Sequence, residues 1–235
     1  SARRVDGDLG RLARVGGVDL WTGGHSHNHL VAESDGATVM ISGSSGQVVG
    51  VCDLTVDPVA ARVVERRARL QPTYADEVAP DSAMLARVAG WNAGVARLAA
   101  TPIGENARAL TRSRTGESTL GDLVADAMRA ASGADVALTN AGGLRADLPA
   151  GPITKGSVYD VIPFDNTIVR VKLTGAGLRR LIEEGLANGR VSPQSGLRYR
   201  FDLSQPPERR LLAVTLADGA PLDEARVYTV AVNNF

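Results

Sequence analysis

All three histidines of this chain lie within one short segment. They are His25, His27 and His29, in the sequence Gly-Gly-His-Ser-His-Asn-His at residues 23–29. Neutral imidazole is the commonest metal ligand in proteins, and adjacent glycines let the backbone turn sharply enough for two such side chains to converge. We therefore predict that His25 and His27 bind metal. Because a catalytic metal ion usually takes three or more protein ligands, other ligands must come from elsewhere.

The elements that would position this turn are strands. Residues 18–21, Val-Asp-Leu-Trp, precede the glycines and are typical of a buried strand, which would display the imidazoles at its carboxyl end. Between residues 38 and 56, short apolar runs separated by Gly, Ser and Asp predict further strands and hairpins. Residues 62–70 are compatible with either a charged strand or a short helix.

A helix is predicted over residues 81–100, where apolar side chains recur at helical spacing and Thr-Pro follows the last of them. Its place between two regions of mixed pattern indicates a linker. We therefore expect a first domain at residues 1–80, a helical linker at residues 81–101 and a second domain at residues 102–235.

The second domain alternates helical and strand patterns. Helical spacing occurs at residues 117–132 and 174–187, each followed by a glycine that can end the helix. The period of a strand occurs in five stretches, residues 136–139, 167–173, 197–203, 211–216 and 226–232. The pair Asp218-Gly219 between the last two predicts a hairpin. The fold class expected is therefore α/β with mixed sheets.

Composition excludes several classes of partner. Lys and Arg together number 26, as do Asp and Glu, so net charge does not favour nucleic acid and we expect none to be bound. No run of 18 apolar residues occurs, so we expect no membrane span. The first residues lack the apolar core of a signal segment. Cys52 is the one cysteine, which leaves no intrachain disulfide and favours a small buried side chain.

Three segments of the second domain carry the residue types that bind a phosphorylated small molecule. Gly142 and Gly143 allow close backbone approach to a ligand, and Arg145 follows with a forked donor. Arg114 lies in a basic loop just before the first helix of this domain. Phe164, between proline and polar residues, is suited to stacking on a base. Taken singly, these features are equally compatible with a surface turn, a solvated loop and a core phenylalanine.

The order of the motifs is more specific than any one of them. It runs Gly-Gly-His-Ser-His, helical linker, Leu-Gly-Asp-Leu-Val-Ala-Asp-Ala-Met helix, Asn-x-Gly-Gly-Leu-Arg, and Val-Ile-Pro-Phe-x-Asn. In this order the chain resembles, over nearly its whole length, the two-domain 5'-nucleotidase family of dinuclear metallophosphoesterases. The resemblance implies the C-terminal part of a four-layer αββα metal domain followed by a nucleotide-binding α/β domain.

The resemblance also implies cofactors. His25 would bind one and His27 the other of two divalent ions, such as Zn or Mn, whereas His29 has no counterpart in the family. The family's other metal ligands come from an Asp-x-His, a Gly-Asp, a Gly-Asn-His motif and a further His, and this sequence contains no Asp-x-His, no Gly-Asn-His and no histidine outside the turn. We therefore expect the chain to be an internal fragment whose partner is the remaining part of its own metal domain.

The substrate-binding residues expected are Arg114, Asn140, Gly142, Gly143, Arg145, Phe164 and Asn166. By resemblance, Arg114 and Arg145 hold the phosphate, Asn140 contacts the nucleoside, Phe164 forms one wall of an aromatic clamp and Asn166 lies near the base edge. The family's Gly-Gly-Asp-Gly-aromatic loop, which supplies the second wall and a ribose-binding aspartate, does not occur.

For the intact protein we expect metal-dependent hydrolysis of nucleoside 5'-monophosphates, in a secreted, periplasmic or cell-surface location that the resemblance implies. Hydrolysis of UDP-sugars, 2',3'-cyclic nucleotides or a sulfur ester is compatible with the same residues. A different alternative is a non-catalytic nucleotide-binding module, and we expect the isolated chain to be inactive because most metal ligands are missing.

Overall fold

The structure is a computed structural model that describes residues 7–235, with side chains from residue 10 onward. The first six residues, part of the segment judged to lack a signal sequence, lie outside this range. The chain divides into two compact units between Ala89 and Gly90, called unit 1 and unit 2 below. Both units contain helices and strands, which confirms the predicted α/β class with mixed sheets.

Unit 1 consists mainly of strands. Its elements are α1 (Gly7–Leu12), β1 (Leu20–Gly23), β2 (His29–Ser34), β3 (Ala37–Ser42), β4 (Val48–Asp57) and β5 (Arg62–Pro72). The first three strands form a sheet in the order β1-β3-β2, with β1 parallel and β2 antiparallel to β3. Strands β4 and β5 form a long antiparallel hairpin. The stretch that the sequence left open, residues 62–70, is therefore a strand.

Strand β3 is the core of unit 1. Residues 37–41 are all buried, as expected for a central strand covered on both faces. The hairpin is tied to the sheet region by Arg66, whose guanidinium donates to the Asp19 carboxylate at 2.8 Å. The histidine segment leaves β1 directly and ends at the start of β2, so its position is set by two strands that both pair with β3.

Unit 2 begins within α2 (Ser82–Ala99), which crosses the division between the units. The elements that follow are β6 (Pro102–Asn106), α3 (Thr119–Ser132), β7 (Val136–Leu138), β8 (Gly151–Thr154), α4 (Lys155–Val161), β9 (Ile168–Thr174), α5 (Gly175–Ala187), β10 (Gln194–Ser195), β11 (Leu197–Phe201), β12 (Leu211–Leu216) and β13 (Val227–Asn233). The predicted domain bounds, with a linker at residues 81–101, stay a prediction.

The core of unit 2 is a four-stranded sheet in the order β10-β7-β13-β9. β13 is parallel to β7 and antiparallel to β9. Alternate residues of the central strands serve the two faces: Ala137 and Ala231 pack with α3, whereas Val136, Tyr228 and Val230 pack with α5 and the β11–β12 hairpin. Small side chains on one face let α3 approach closely, and large ones on the other fill the wider space towards α5.

The local helix signals are confirmed. Ser118 caps α3 by accepting a hydrogen bond from the Gly121 N–H at 3.1 Å, and Gly133 ends that helix in the left-handed conformation at φ 63°. Thr174 caps α5 in the same way. Helix α2 also forms as predicted, although none of its residues is buried. Among residues 7–235, no helix combines the length and the apolarity needed to cross a bilayer.

The predicted hairpin between the last two strands is wrong. Asp218-Gly219 does form a turn, with Gly219 at φ 88°, but only a single bridge from Thr215 to Pro221 follows it. β12 pairs with β11 instead, and β13 enters the other sheet. The reason is burial: Tyr228 and Val230 on one face of β13 and Ala231 on the other are all buried, so the backbone N–H and C=O groups of this strand must pair with a strand on each edge.

Leu178 and Leu181 on α5 provide a matched test of this core. Leu178 is fully buried and Leu181 is 41% exposed. We expect Leu178→Ala to lower the free energy of unfolding by about 2–5 kcal/mol, because it removes a packed side chain and leaves a cavity. Leu181→Ala should cost only about 0.5 kcal/mol. Urea unfolding followed by circular dichroism measures both, and equal losses would contradict the assigned faces of α5.

Candidate functional site

The site in unit 2 lies where two parallel strands end at the same edge of the sheet. β7 continues into Thr139 and Asn140, and β13 ends at Asn233. The Asn233 amide donates to Asn140 Oδ1 at 2.9 Å, and the Thr139 hydroxyl donates to Asn233 Oδ1 at 3.4 Å. The carboxyl ends of parallel strands are the usual place for a ligand in such sheets. Asn233 was not among the predicted site residues, although its place after the last strand pattern could have indicated it.

The paired glycines form a short 3₁₀ turn, Ala141–Gly143, directly after Asn140. The Gly143 N–H donates to the Asn140 carbonyl at 3.0 Å. A Cβ at Gly143 would lie 3.1 Å from Asn140 Oδ1, so the glycine leaves room for the Asn140 amide to fold over the turn. The sequence-based interpretation of Gly142 and Gly143 as ligand contacts stays a prediction; what the structure gives Gly143 is a contact with Asn140.

Arg114 lies on the loop that the start of α3 holds in place. Ser118 is buried, and its hydroxyl accepts from the Ser113 N–H at 3.3 Å as well as from the helix. The Arg114 guanidinium is exposed, and no hydrogen bond or ion pair joins it to any other described residue. It borders an open cleft of about 340 Å³, lined also by Arg112, Ser113, Ala141 and Leu144. An unpaired guanidinium beside a backbone turn is suited to binding an anion.

Arg145 belongs to the facing loop. Its backbone N–H donates to the Val161 carbonyl at 2.8 Å, and its neighbour Leu144 is buried against Leu120 and Val161. The Arg145 side chain is exposed and makes one hydrogen bond, to the Gly142 carbonyl at 3.3 Å, but it does not line the cleft that Arg114 borders. The structure therefore places the two predicted phosphate ligands on adjacent loops, each with unused donors.

A second, smaller cleft of about 120 Å³ brings together three other predicted residues, Asn140, Gly143 and Asn166. Its remaining lining residues are Val124, Met128, Thr139, Leu144, Ile162, Thr167, Ile168 and Asn233. The lining thus combines amide groups with an apolar floor, which suits a flat heterocycle with polar edges. Phe164 lines neither cleft; its ring is 47% exposed on the loop between α4 and β9.

Arg112, like Asn233, was not among the predicted site residues. Its guanidinium donates to the carbonyls of Leu144 and Arg145, and its backbone N–H donates to the Asp147 carboxylate at 2.9 Å. Arg112 thus joins the loop of Arg114 to the loop of Arg145. The residue type alone could not distinguish it from Arg114, because its partners are about 35 residues away in the chain.

The histidine segment of unit 1 has an unusual backbone. His25 and His27 both adopt left-handed conformations, at φ 64° and 58°, which non-glycine residues rarely occupy. The Ser26 N–H between them donates to the Gly24 carbonyl at 2.7 Å, and all three imidazoles are exposed. His29 lies across Gly43, where an added Cβ would be 2.4 Å from its Nε2. Such conformations persist where the surroundings impose them, and they are common at functional sites.

The described residues do not fit a complete metal site. Within residues 7–235, no three His, Cys, Asp or Glu side chains are grouped closely enough to hold an ion. His25 and His27 offer two imidazoles, whereas a catalytic ion takes three or more protein ligands. The metal-ligand role of these two residues stays a prediction.

A carboxyl cluster of Glu117, Asp122 and Asp126 lies where the Arg114 loop meets α3. Burial, a hydrogen bond with Glu117 and the charges of Glu117 and Asp126 together raise the pKa of Asp122 to about 7. The Gln194 N–H, which donates to Asp122 Oδ1 at 3.4 Å, acts in the opposite direction. Glu117 belongs to the loop and Asp122 to α3. When Asp122 is protonated, its hydrogen bond with Glu117 joins the loop to the helix without placing two negative charges side by side.

Three comparisons with known proteins agree on the family. The family model described as "5'-nucleotidase, C-terminal domain" matches residues 94–235. Endonuclease YhcR of Bacillus subtilis is 29% identical over 227 residues, which cover 93% of this chain and 18% of that protein. The trifunctional nucleotide phosphoesterase protein YfkN of the same organism is 30% identical over 256 residues, covering 97% of this chain and 17% of that protein.

Solved structures give the same result. The 5'-nucleotidase precursor of Thermus thermophilus superposes with a TM-score of 0.74 at 32% identity, covering 95% of this chain and 51% of that chain. The chain thus spans less than a fifth of the two curated relatives and about half of this solved structure.

The raised pKa of Asp122 leads to a prediction about stability and pH. Folded Asp122 keeps its proton up to about pH 7, whereas the unfolded carboxyl loses it near 3.8. The folded state therefore binds more protons between these values, and this group lowers stability as pH rises through that window. Asp122→Asn removes the effect. The Tm of the variant minus the Tm of the wild type should therefore be larger at pH 8 than at pH 4.5.

Thermal unfolding at the two pH values measures this difference. Asp160→Asn on α4, which replaces an exposed carboxylate elsewhere in unit 2, is the matched control and should show no such change. A Tm difference for Asp122→Asn that is the same at both pH values would contradict the prediction.

Proposed function

Because this chain belongs to the 5'-nucleotidase family, we propose that it is the nucleotide-holding part of a hydrolase that cleaves nucleoside 5'-monophosphates. The family model covers all of unit 2 except its first four residues. The observation that carries the proposal is the unpaired Arg114 guanidinium beside the 3₁₀ turn, with Arg145 on the facing loop.

Phosphate would be held by arginine rather than by lysine or metal in this part of the protein. A guanidinium is always charged and presents a planar fork that matches two phosphate oxygens. Arg114 has all its donors available, and Arg145 uses one of them on Gly142. Two such groups on separate loops can contact a phosphate from two sides, which fixes its orientation as well as its position.

The nucleoside would occupy the smaller cleft. Asn140 and Asn166 supply amide groups at its rim, and Asn233 orients Asn140 through their hydrogen bond. Phe164 has an exposed ring with no aromatic partner among the described residues, so its face is free to stack on a base. Nucleotide binding is the function that these residue types support together.

For the intact protein we further propose two divalent metal ions, such as Zn or Mn, with His25 and His27 among their ligands. The remaining ligands would come from the rest of the metal domain, which is the proposed partner of this chain. For the chain on its own we propose nucleotide binding without hydrolysis, because the described residues bring no third ligand to the two imidazoles. A secreted, periplasmic or cell-surface location follows from the resemblance alone.

UDP-sugar, 2',3'-cyclic nucleotide and sulfur-ester hydrolysis stay open as alternatives, since no residue described here separates them. The full-length protein should be assayed against nucleoside monophosphates, cyclic nucleotides and UDP-sugars, with and without a chelator. Preference for monophosphates, lost on chelation, supports the proposal. Activity on none of these phosphate esters would contradict it.

Arg145→Ala should lower kcat/KM of the full-length enzyme for a nucleoside monophosphate. The loss expected is about 1.5–3 kcal/mol, roughly 10- to 150-fold, which is the value of a charged hydrogen bond. Arg145→Lys should recover part of the loss, because it restores the charge without the fork. Arg108→Ala, which removes another exposed arginine of unit 2, is the control. An unchanged kcat/KM in Arg145→Ala would refute the assigned role.

The isolated 235-residue chain should show no phosphatase activity with added Mn or Zn, for want of metal ligands. A colorimetric phosphate assay on purified chain, with its mass verified, measures this. Metal-dependent turnover that survives further purification would overturn the proposal that the chain only binds its nucleotide.

A further inference from the structure

We propose that Arg112 is a positioning residue that sets the spacing between Arg114 and Arg145, and so controls phosphate affinity without contacting phosphate. The inference rests on the proposed function of unit 2. It concerns a residue whose side chain is committed to the protein itself, in contrast to the two arginines proposed as phosphate ligands.

Four contacts of Arg112 define the connection. Its Nη1 donates to the Leu144 carbonyl at 3.2 Å and also to the Arg145 carbonyl. Its Nε lies 3.5 Å from Asp147 Oδ1, and its backbone N–H donates to the same oxygen at 2.9 Å. The guanidinium therefore contacts the carbonyl groups of the two peptide bonds that flank the Arg145 Cα.

This connection extends a short backbone ladder. Leu110 and Leu148 exchange two backbone hydrogen bonds, at 2.8 and 3.0 Å. Beyond that pair, the hydrogen bonds between the two segments involve side chains. The Asp147 carboxylate accepts from the Arg112 backbone N–H, and the Arg112 guanidinium donates to the carbonyls of residues 144 and 145. The bridge between Leu110 and Leu148 is thereby continued into the two loops that carry the candidate ligands.

Each loop is otherwise anchored separately. The loop of Arg114 is held by Ser118 and Thr119 at the start of α3, and the loop of Arg145 by the Val161 carbonyl at the end of α4. Within the described part of the chain, the hydrogen bonds that join residues 111–117 to residues 140–147 all come from Arg112. Removing its side chain would leave both loops folded and joined only through the Arg112 backbone N–H to Asp147, so that their separation could change.

Exposure decides what such a removal costs. The Arg112 side chain is 43% exposed and that of Asp147 is 53% exposed. Water can therefore replace the lost contacts, and exposed ion pairs add little to stability. The substitution should instead change the distance between the Arg114 and Arg145 guanidinium groups, which must be fixed for phosphate recognition from two sides.

The test is binding to the purified 235-residue chain by calorimetry, with AMP, inorganic phosphate and adenosine as probes. Arg112→Ala should weaken AMP and phosphate about 10- to 100-fold, the cost of misplacing a binding group, and leave adenosine unchanged. Arg112→Lys should be intermediate, because a single ammonium cannot span the same carbonyls and carboxylate. Arg108→Ala should bind all three probes like the wild type.

Asp147→Asn separates positioning from direct contact. If Arg112 itself held the phosphate, removing a negative charge beside it would strengthen binding of AMP. If Arg112 acts by position, the same variant weakens its connection to Asp147, and AMP affinity falls. We expect the fall. Tighter AMP binding by Asp147→Asn would overturn the inference.

Hydrogen exchange provides a second, independent measurement. In Arg112→Ala, amides at residues 113–117 and 143–146 should exchange faster, while those of α5 stay unchanged. Unchanged exchange in the two loops, equal weakening of AMP and adenosine, or wild-type AMP affinity would each overturn the inference. If the wild-type chain binds neither phosphate nor AMP, the proposed function fails, while the exchange rates still decide whether Arg112 holds the loops together.

Discussion

The parallel pairing of β7 with β13 determines where the candidate site lies. Because the two strands run the same way, they leave the sheet at the same edge, and Asn140 meets Asn233 there. The 3₁₀ turn and the loop of Arg145 follow β7 directly, and α3 packs on the small residues Ala137 and Ala231 of the same strands. The loop of Arg114 is in turn held by the first turn of α3. The two asparagines, the 3₁₀ turn and both arginine loops thus trace back to one strand pair.

Signals that depend on neighbours in sequence predicted the structure well. Helices α3 and α5, the stop at Gly133 and the five strand periods all appear within two residues of the expected positions. The order of the motifs identified the family, because it combines many local patterns. The prediction of a hairpin at Asp218-Gly219 was wrong because a turn signal specifies only the reversal of the chain. Which strand β13 pairs with is decided by burial on both its faces, a property of distant residues.

The same distinction applies to the candidate site. Arg114, Asn140, Arg145 and Asn166 were chosen by residue type and motif, and the structure places them around two neighbouring clefts or on the loop beside them. Arg112 carries the same side chain as Arg114 two residues away, yet one is bonded to the facing loop and the other is free. A sequence cannot separate the two, because the difference comes from where residues 144–147 lie in space.

The order of the strands has a consequence for how the protein is made. β13 follows β7 and β9 in the sequence, but it lies between them in the sheet. While the chain emerges from the ribosome, β7 and β9 have no common neighbour until residue 233 has been synthesised. The sheet of unit 2 can therefore form only late, and its apolar strands remain exposed to solvent during synthesis. The arrival of β13 between β7 and β9 then joins the two parts of the core and forms the asparagine pair at the sheet edge.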